Sequence, residues 1–525
     1  LVLDNLEQVL EAASDVAELV RRSTGLTIVA TSRAPLKVSV EREFALPPLQ
    51  LPEAGEATPD DLMRCASVAL FVQRARKVQP SFELTEGNAG AVAEICRRLD
   101  GLPLALELAA ARVRIMEPTT LLDRLDQALD LLTSGDRDLP LRQRTLRTTI
   151  SWSYSLLEPE EQRLLRRLAV FHDGWTLEAM EAVCYPAAEA YRAIDELESL
   201  VEKGLVRVIC SGQRYGLLET IRAFSAEQLH AEGAVDDARR AHADYFVDAS
   251  ERMAVDIVGP AQLDAIQRAR DDNANTLAAL QWLGGAAHAD AEDAAEKGLS
   301  ICGNLLWPWH INGQHLTGLT EASRFLELAE EGRPTKGRVQ GLLVKAISRS
   351  SLGDMDGHLQ DALVALEHAR DMAEDALIGE ALLHVGYVHL SCGRPDEAKV
   401  ALEEGRTRLQ EPGAEFLLAV VLALLGMATF LGGDLPGGRE HVESALRMQR
   451  NIGDYEGRGL SLSCLAQMTF AEGDHAAAMD RFREALDAFG RVGGRPEVAR
   501  LHVEMGWAAL GAGDPGEARA AFVRG

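Results

Sequence analysis

The sequence is poor in aromatic residues, at 5% Phe, Trp and Tyr, and poor in positive charge, with 54 Lys and Arg against 81 Asp and Glu. A formal charge of -27 repels nucleic acid and anionic membrane, so any contact with DNA falls to a different segment. The cysteines (Cys65, Cys96, Cys184, Cys210, Cys302, Cys392, Cys464) lack C-x-x-C spacing and nearby His pairs, which indicates neither a disulfide framework nor a zinc site. A reducing cytosol, hence a cytoplasmic location, is the plain reading. Long hydrophobic runs are missing too: residues 416–431 are apolar but fall short of the roughly 20 residues a membrane helix needs. No Ser/His/Asp elbow, HExxH or paired-carboxylate motif stands out, which leaves hydrolases of those classes unsupported. Neither Gly-Lys-Ser nor Gly-Lys-Thr occurs, so the phosphate-cradling loop G-x-x-x-x-G-K-[ST] is absent.

What remains is 47% hydrophobic and 26% charged residues, the balance of a soluble helical protein, over 525 residues that predict three or four packed units. The chain opens without Met inside the strand-like run Leu1-Val2-Leu3-Asp4, which reads as a truncation. A helix over residues 6–22 and a second aliphatic strand over 27–30 complete a β-α-β fragment of a parallel sheet. Phe44-Ala45-Leu46, ahead of Pro47-Pro48, reads as one further strand. Helical spacing follows over residues 62–132, broken at Gly101-Leu102-Pro103. Between residues 141 and 229, helices give way to two short strands, 205–210 and 215–218, joined at Ser211-Gly212, which is the winged-helix pattern.

Beyond residue 229 the pattern is helical and repeats. Gly353, Gly393, Gly433, Gly473 and Gly513 recur every 40 residues. Each is preceded, seven residues earlier, by a small residue: Ala346, Gly386, Gly426, Ala466 and Gly506. Twelve residues after the first four glycines come Ala365, Gly405, Ala445 and Ala485. Such offsets let paired helices approach closely while the glycine ends the first of them. The pattern resembles tetratricopeptide repeats, lengthened from a usual period of about 34 residues. In this register a neighbouring helix presses on Gly426, so Leu would overpack the contact while Ala would be tolerated.

An aliphatic strand ending in Asp4 is how a carboxylate is presented to Mg²⁺ on nucleotide phosphates, although Asp is equally a helix N-cap. After the second strand, Thr31-Ser32-Arg33-Ala34-Pro35-Leu36 puts Arg33 where a guanidinium could grip a terminal phosphate. With these, LVLDN, TSRAPL and CRRLDGLPLALELAAARVR resemble the NB-ARC-type ATPases of the STAND class, specifically the large actinobacterial regulators of the AfsR/SARP and LuxR types. The run RTLRTTISWSYSLLEPEEQRLLRRLAVFHDGWTLEAMEAVC and RYGLLETIRAFSAEQL extend the resemblance through the winged helix.

The resemblance implies a mainly α chain with this organisation: 1–50, the C-terminal part of an α/β P-loop NTPase core; 51–138, a helical subdomain with the Gly-Leu-Pro-Leu motif; 139–230, a winged helix; 231–335, divergent helical hairpins; and 336–525, a tetratricopeptide-like α-solenoid. It implies ATP or ADP with Mg²⁺ as cofactor, with Asp4 on the metal, Arg33 on the γ-phosphate, and Gly101 and Pro103 on the nucleotide, Pro103 against the adenine. Asn5 stands where many relatives carry a second acid, which leaves Glu7 as a weak candidate base. Leu217-Leu218-Glu219 replaces Met-His-Asp, so a His contact to ADP is missing. In such a regulator the repeats sense a protein or small-molecule inducer, DNA is bound only by a segment outside these residues, no membrane is involved, and oligomerisation can follow the nucleotide. In the winged helix itself, Arg142, Arg144 and Arg147 are the candidate phosphate contacts. The alternative is a repeat scaffold whose nucleotide module is only structural. Without the phosphate loop, residues 1–525 are expected to show no ATP turnover above buffer and at best weak nucleotide binding; micromolar ATP affinity by calorimetry would contradict this.

Overall fold

The computed structural model describes residues 1–3, 6, 12–23, 25–32, 35–44, 46–53, 58–123, 146–209, 213–285, 291–329 and 333–525. It is mainly helical and divides into two units, Leu1–His242 and Ala243–Gly525.

In the first unit, Val2–Leu3 pairs in parallel with Val29–Ala30, and the helix Ala13–Arg22 lies between them in sequence. Parallel strands are usually buried on both faces, yet Val2 is 72% and Val29 58% exposed. The strand expected around Phe44 and Leu46 does not form: both residues are irregular and are 85% and 86% exposed. Pro47 and Pro48 immediately after them have no N–H to donate to a ladder.

The helices Ala66–Val78, Glu86–Arg98 and Pro103–Ala111 then enclose a core of Val68, Phe71, Val72, Val92, Ile95, Leu99 and Leu106. Between the last two of them the chain turns through Asp100 and Gly101, both at positive φ (53° and 65°), and restarts with Pro103 in the first helical turn. Asp is among the few side-chain-bearing residues that enter this backbone region readily. The winged helix follows as Pro159–Arg167, Leu177–Cys184 and Ala193–Glu202 with the antiparallel hairpin Val206–Ile209 and Arg214–Leu217. Trp175, 2% exposed, is core as its apolar bulk suggests, and its backbone exchanges two 2.8 Å hydrogen bonds with Tyr215 on the wing.

The second unit consists of helices in sequence, ending in the hairpins Lys336–Ser351 with Met355–Met372, Asp375–Ser391 with Pro395–Arg408, Glu415–Leu431 with Leu435–Ile452, Tyr455–Ala471 with His475–Val492, and Arg495–Gly511 with Pro515–Arg524. The 40-residue glycines occupy the turns between paired helices, all at positive φ (94°, 69°, 96°, 87° and 78°). Asp354, Asp434, Asp474 and Asp514, one residue on, accept hydrogen bonds from backbone N–H groups of the next helix and satisfy its free donors. The small residues that precede the glycines are buried against the partner helix: a Cβ on Gly506 would lie 2.5 Å from Phe522 and one on Gly386 2.5 Å from Leu402. The apolar helix Glu415–Leu431 is repeat core, and no described helix is long and apolar enough to cross a membrane.

The array also folds back on its own beginning. Gln262, in the helix Gln262–Asp271, donates to Asp454 Oδ1 (2.8 Å) and accepts from the Tyr455 N–H (2.8 Å), nearly 200 residues further on. Arg270 likewise reaches the Val492 carbonyl at 2.8 Å, and Trp307 meets Phe416 edge to face with centroids 5.1 Å apart.

At Gly426 the geometry corrects the expectation that Ala is harmless. An added Cβ would lie 2.7 Å from the Gly438 carbonyl oxygen and press on Val442. A backbone carbonyl cannot rotate aside, so the roughly 1 kcal/mol gained by replacing a helical glycine is outweighed. Gly426→Ala should lower stability by about 1 to 3 kcal/mol and Gly426→Leu by more. Thermal melts of the two variants check this, and an alanine variant that melts with the parent would show that the helices do not meet there.

Candidate functional site

Asp4, Glu7 and Arg33 lie outside the described residues, as do Arg142 and Arg144. The sequence-predicted residues that can be placed are Gly101 and Pro103. Gly101 is buried: its carbonyl accepts from the Leu49 N–H at 3.1 Å, and any Cβ would run into the Leu49 carbonyl. Its glycine identity is thereby fixed by backbone packing as well as by its positive φ. Pro103 is exposed at the start of its helix.

The residue that sequence reasoning passed over is Asp100, between them and the preceding helix. Its carboxyl is 8% exposed and its Oδ2 accepts a 2.6 Å hydrogen bond from the backbone N–H of Glu219. Glu219 is the first residue of the helix Glu219–Glu232, which follows the wing and has no side-chain cap of its own. Asp100 therefore caps that helix from 119 residues away, placing negative charge where the free N–H groups and the helix dipole favour it. Arg207 on the wing stands 3.8 Å from its other oxygen. Burial pushes the Asp100 carboxyl up to about 6, against the pull of the Glu219 N–H and Arg207. The only sequence signal was an acid entering a Gly-Leu-Pro-Leu turn, with nothing to say which helix it would reach.

Pro103 is exposed, and the charges gathered around Asp100 are of both signs: Arg207 stands 3.8 Å from it, and Arg222 is bonded to Glu219 at 2.8 Å.

The winged helix has an unusual charge for a DNA reader. The helix Ala193–Glu202, directly before the wing, carries Asp195, Glu196, Glu198 and Glu202 and no Lys or Arg, and Leu177–Cys184 carries Glu178 and Glu181 and no base. The cations nearby are engaged: Lys203 with Glu161 at 2.6 Å, Arg192 with Glu196 at 3.1 Å, Lys37 with Glu202 at 2.7 Å, and Arg147 with Glu227 at 2.8 Å. A helix of this charge set into a groove would face phosphates with carboxylates.

Residues 157–230 match the family model of a winged helix-turn-helix domain. Across 506 residues the chain is 34% identical to a Mycobacterium tuberculosis protein named "Putative HTH-type transcriptional regulator", covering 92% of this chain and 54% of the relative, and equally to its Mycobacterium bovis counterpart. An uncharacterized Mycobacterium tuberculosis protein is 36% identical over 241 residues, 45% of this chain and 58% of that one. The chain thus spans about half the length of the curated relatives it matches. Among solved structures, a STAND protein with a tetratricopeptide repeat sensor from Pyrococcus horikoshii aligns with TM-score 0.36 at 16% identity, over 100% of this chain and 80% of that one. Aspartyl phosphate phosphatase F from Bacillus subtilis aligns with TM-score 0.40 at 13% identity, over 74% and 95%.

Because the folded value of Asp100 lies above the ordinary one, its contribution to stability is fully present below about pH 4 and is lost as pH rises through about 6. The difference in unfolding free energy between wild type and Asp100→Asn should therefore change by up to about 3 kcal/mol from pH 4 to pH 7, wild type losing ground as pH rises. Denaturant titrations of both proteins across that range test it; a difference independent of pH would mean that Asp100 titrates normally.

Proposed function

We propose that this chain is the switching and sensing part of a nucleotide-controlled transcriptional regulator of the STAND class, acting in the cytoplasm. The observation that carries the reading is the identity to HTH-type transcriptional regulators through 92% of the chain, winged helix and helical array included. The organisation we assign is an NTPase remnant over 1–50, a helical subdomain to 138, a winged helix to 230, divergent hairpins to 335 and the repeats beyond. In this reading the array takes a protein or small-molecule inducer, and the nucleotide module passes between a closed ADP form and an open ATP form, with self-association following the nucleotide.

Bound Mg²⁺ with ATP or ADP would supply the charge whose presence or loss sets the state. Asp4 would hold the metal, Arg33 would read the terminal phosphate, and Pro103 would lie against the base, with Gly101 holding the turn. The acid helices of the winged helix support a lid role for it, and leave DNA reading to a segment outside these residues.

A second reading has its own support. Asp100 already satisfies the N-terminus of the helix Glu219–Glu232, so the turn and the winged helix can be held together without a nucleotide, as a scaffold would need.

The test uses the full-length protein. Promoter DNA binding, followed by mobility shift, should differ between ATP and ADP, and Asp4→Ala should remove the difference by depriving the metal of its hard-oxygen ligand. DNA binding that is identical with either nucleotide and in the variant would favour the scaffold.

A further inference from the structure

The helical array brings together three side chains that the sequence keeps far apart. His310 lies in the helix Leu306–Ile311, Glu456 in the first turn of Tyr455–Ala471, and Glu497 in the first turn of Arg495–Gly511. One ligand atom from each lies within 4.8 Å of the other two, and His310 Nε2 is 4.0 Å from Glu497 Oε1. We propose that His310, Glu456 and Glu497 form a binding site for one divalent transition-metal ion of the zinc type.

Three further observations point the same way. His310 Nδ1, Glu456 Oε2 and Glu497 Oε2 are buried atoms without hydrogen-bond partners, an arrangement costly for polar groups unless something else satisfies them. The two carboxylate oxygens converge over Gly494: a Cβ there would lie 3.2 Å from Glu497 Oε2 and 3.6 Å from Glu456 Oε2, and the missing side chain keeps that space open. The charges are also uncompensated at short range. Arg500, the cation that acts on Glu456, makes its close ion pair with Glu504 instead. Glu456 and Glu497 thus face each other as two carboxylates of like charge. A dication would neutralise both.

The donor chemistry selects the class of ion. A neutral imidazole has a lone pair to give to a metal. One imidazole with two carboxylates suits zinc and its first-row neighbours; calcium and magnesium prefer oxygen alone. Metal bonds of about 2.0 to 2.2 Å require the three side chains to close by about an ångström, a rotamer-scale adjustment. The ring of His315, 5.6 Å from that of His310, is the nearest further imidazole, and a fourth position is otherwise left for solvent or a small anionic group. An ion there would pin the early helix Leu306–Ile311 to repeats that begin more than a hundred residues later, at the seam where Gln262 already meets Asp454. Cysteine spacing could never have revealed such a site, since none of its donors is sulfur.

The experiment is a calorimetric titration of zinc into the chelator-treated full chain, with His310→Ala, Glu497→Gln and the control Glu504→Gln. The expected result is saturable uptake of one ion per chain, weakened about ten-fold or more in His310→Ala and Glu497→Gln and retained in Glu504→Gln, with zinc raising the melting temperature of only the proteins that bind it. Glu497→Gln keeps the shape of the side chain, so it carries the test should His310→Ala fold poorly. Absence of saturable uptake, or uptake equal in wild type and Glu497→Gln, overturns the site and leaves a plain His–Glu contact.

Discussion

The close approach of paired helices at small residues is the constraint on which the second unit rests. Gly426 and Gly438 face each other across one hairpin, and a Cβ on either would meet a backbone carbonyl of the other helix at 2.7 Å or 2.6 Å. Backbone-to-backbone contact of this kind fixes the interaxial distance far more tightly than Leu or Phe could, because flexible side chains adjust and carbonyls do not. At the same offset in other hairpins the contact is with a side chain, Gly386 against Leu402 and Gly506 against Phe522. The turn at Asp454 also returns to the helix Gln262–Asp271. Most solenoid repeats touch only their neighbours; here late repeats touch the first helices as well.

That return contact is polar, and its completeness decides its effect. Gln262 and Asp454 are 1% and 0% exposed, and between them they bond the Ile257 carbonyl and the Tyr455 and Gly457 N–H groups. One acceptor there, Asp454 Oδ2, is buried without a hydrogen-bond partner, so the seam keeps a desolvation cost alongside the register that its satisfied groups specify. Asp100 works by the same logic in the first unit: an acid held at a helix N-terminus costs desolvation, offset by N–H groups that would otherwise lack a partner. At Asp100 the carboxylate addresses a remote backbone donor, which makes that join insensitive to the partner side chain, whereas the seam depends on the Gln262 amide, which donates to Asp454 Oδ1 and accepts from the Tyr455 N–H.

How much of this is legible in the sequence follows from the range of each interaction. The glycine period, the aspartate caps and the wing hairpin are local, and their residue types reveal them directly. The strand expected at Phe44 and Leu46 does not form because two prolines follow, and their missing donors outweigh the apolar character of the run. Tolerance of Ala at Gly426 is not readable from residue types, because the obstacle is a carbonyl, which every residue has and no sequence can mark. Asp100 sits inside its motif with no visible role, since its partner lies 119 residues on. For the nucleotide site, Gly101 and Pro103 fall in the turn where the motif puts them, while Asp4, Glu7 and Arg33 fall outside the described residues.

The winged helix shows how far a fold departs from the function most often attached to it. Residues 157–230 have the three helices and hairpin of a DNA-reading domain, and nothing in the backbone excludes that use. What is unusual is the charge. Recognition needs cations on the groove-facing helix, because phosphate neutralisation supplies most of the affinity before any base is read. Here Ala193–Glu202 carries four carboxylates, of which Glu196 is 13% exposed and held by Arg192 and Tyr185, and the neighbouring cations are drawn into ion pairs that tie the domain to itself, as Lys203 does with Glu161 and Arg147 with Glu227. Exposed pairs of this sort contribute little stability each, but they leave few cations free for an external anion. A short, buried polar contact that the domain makes beyond its own helices and wing points inward, from the Glu219 N–H to Asp100. That contact ties the helix after the wing to the preceding helical subdomain through a carboxylate rather than through an apolar seam.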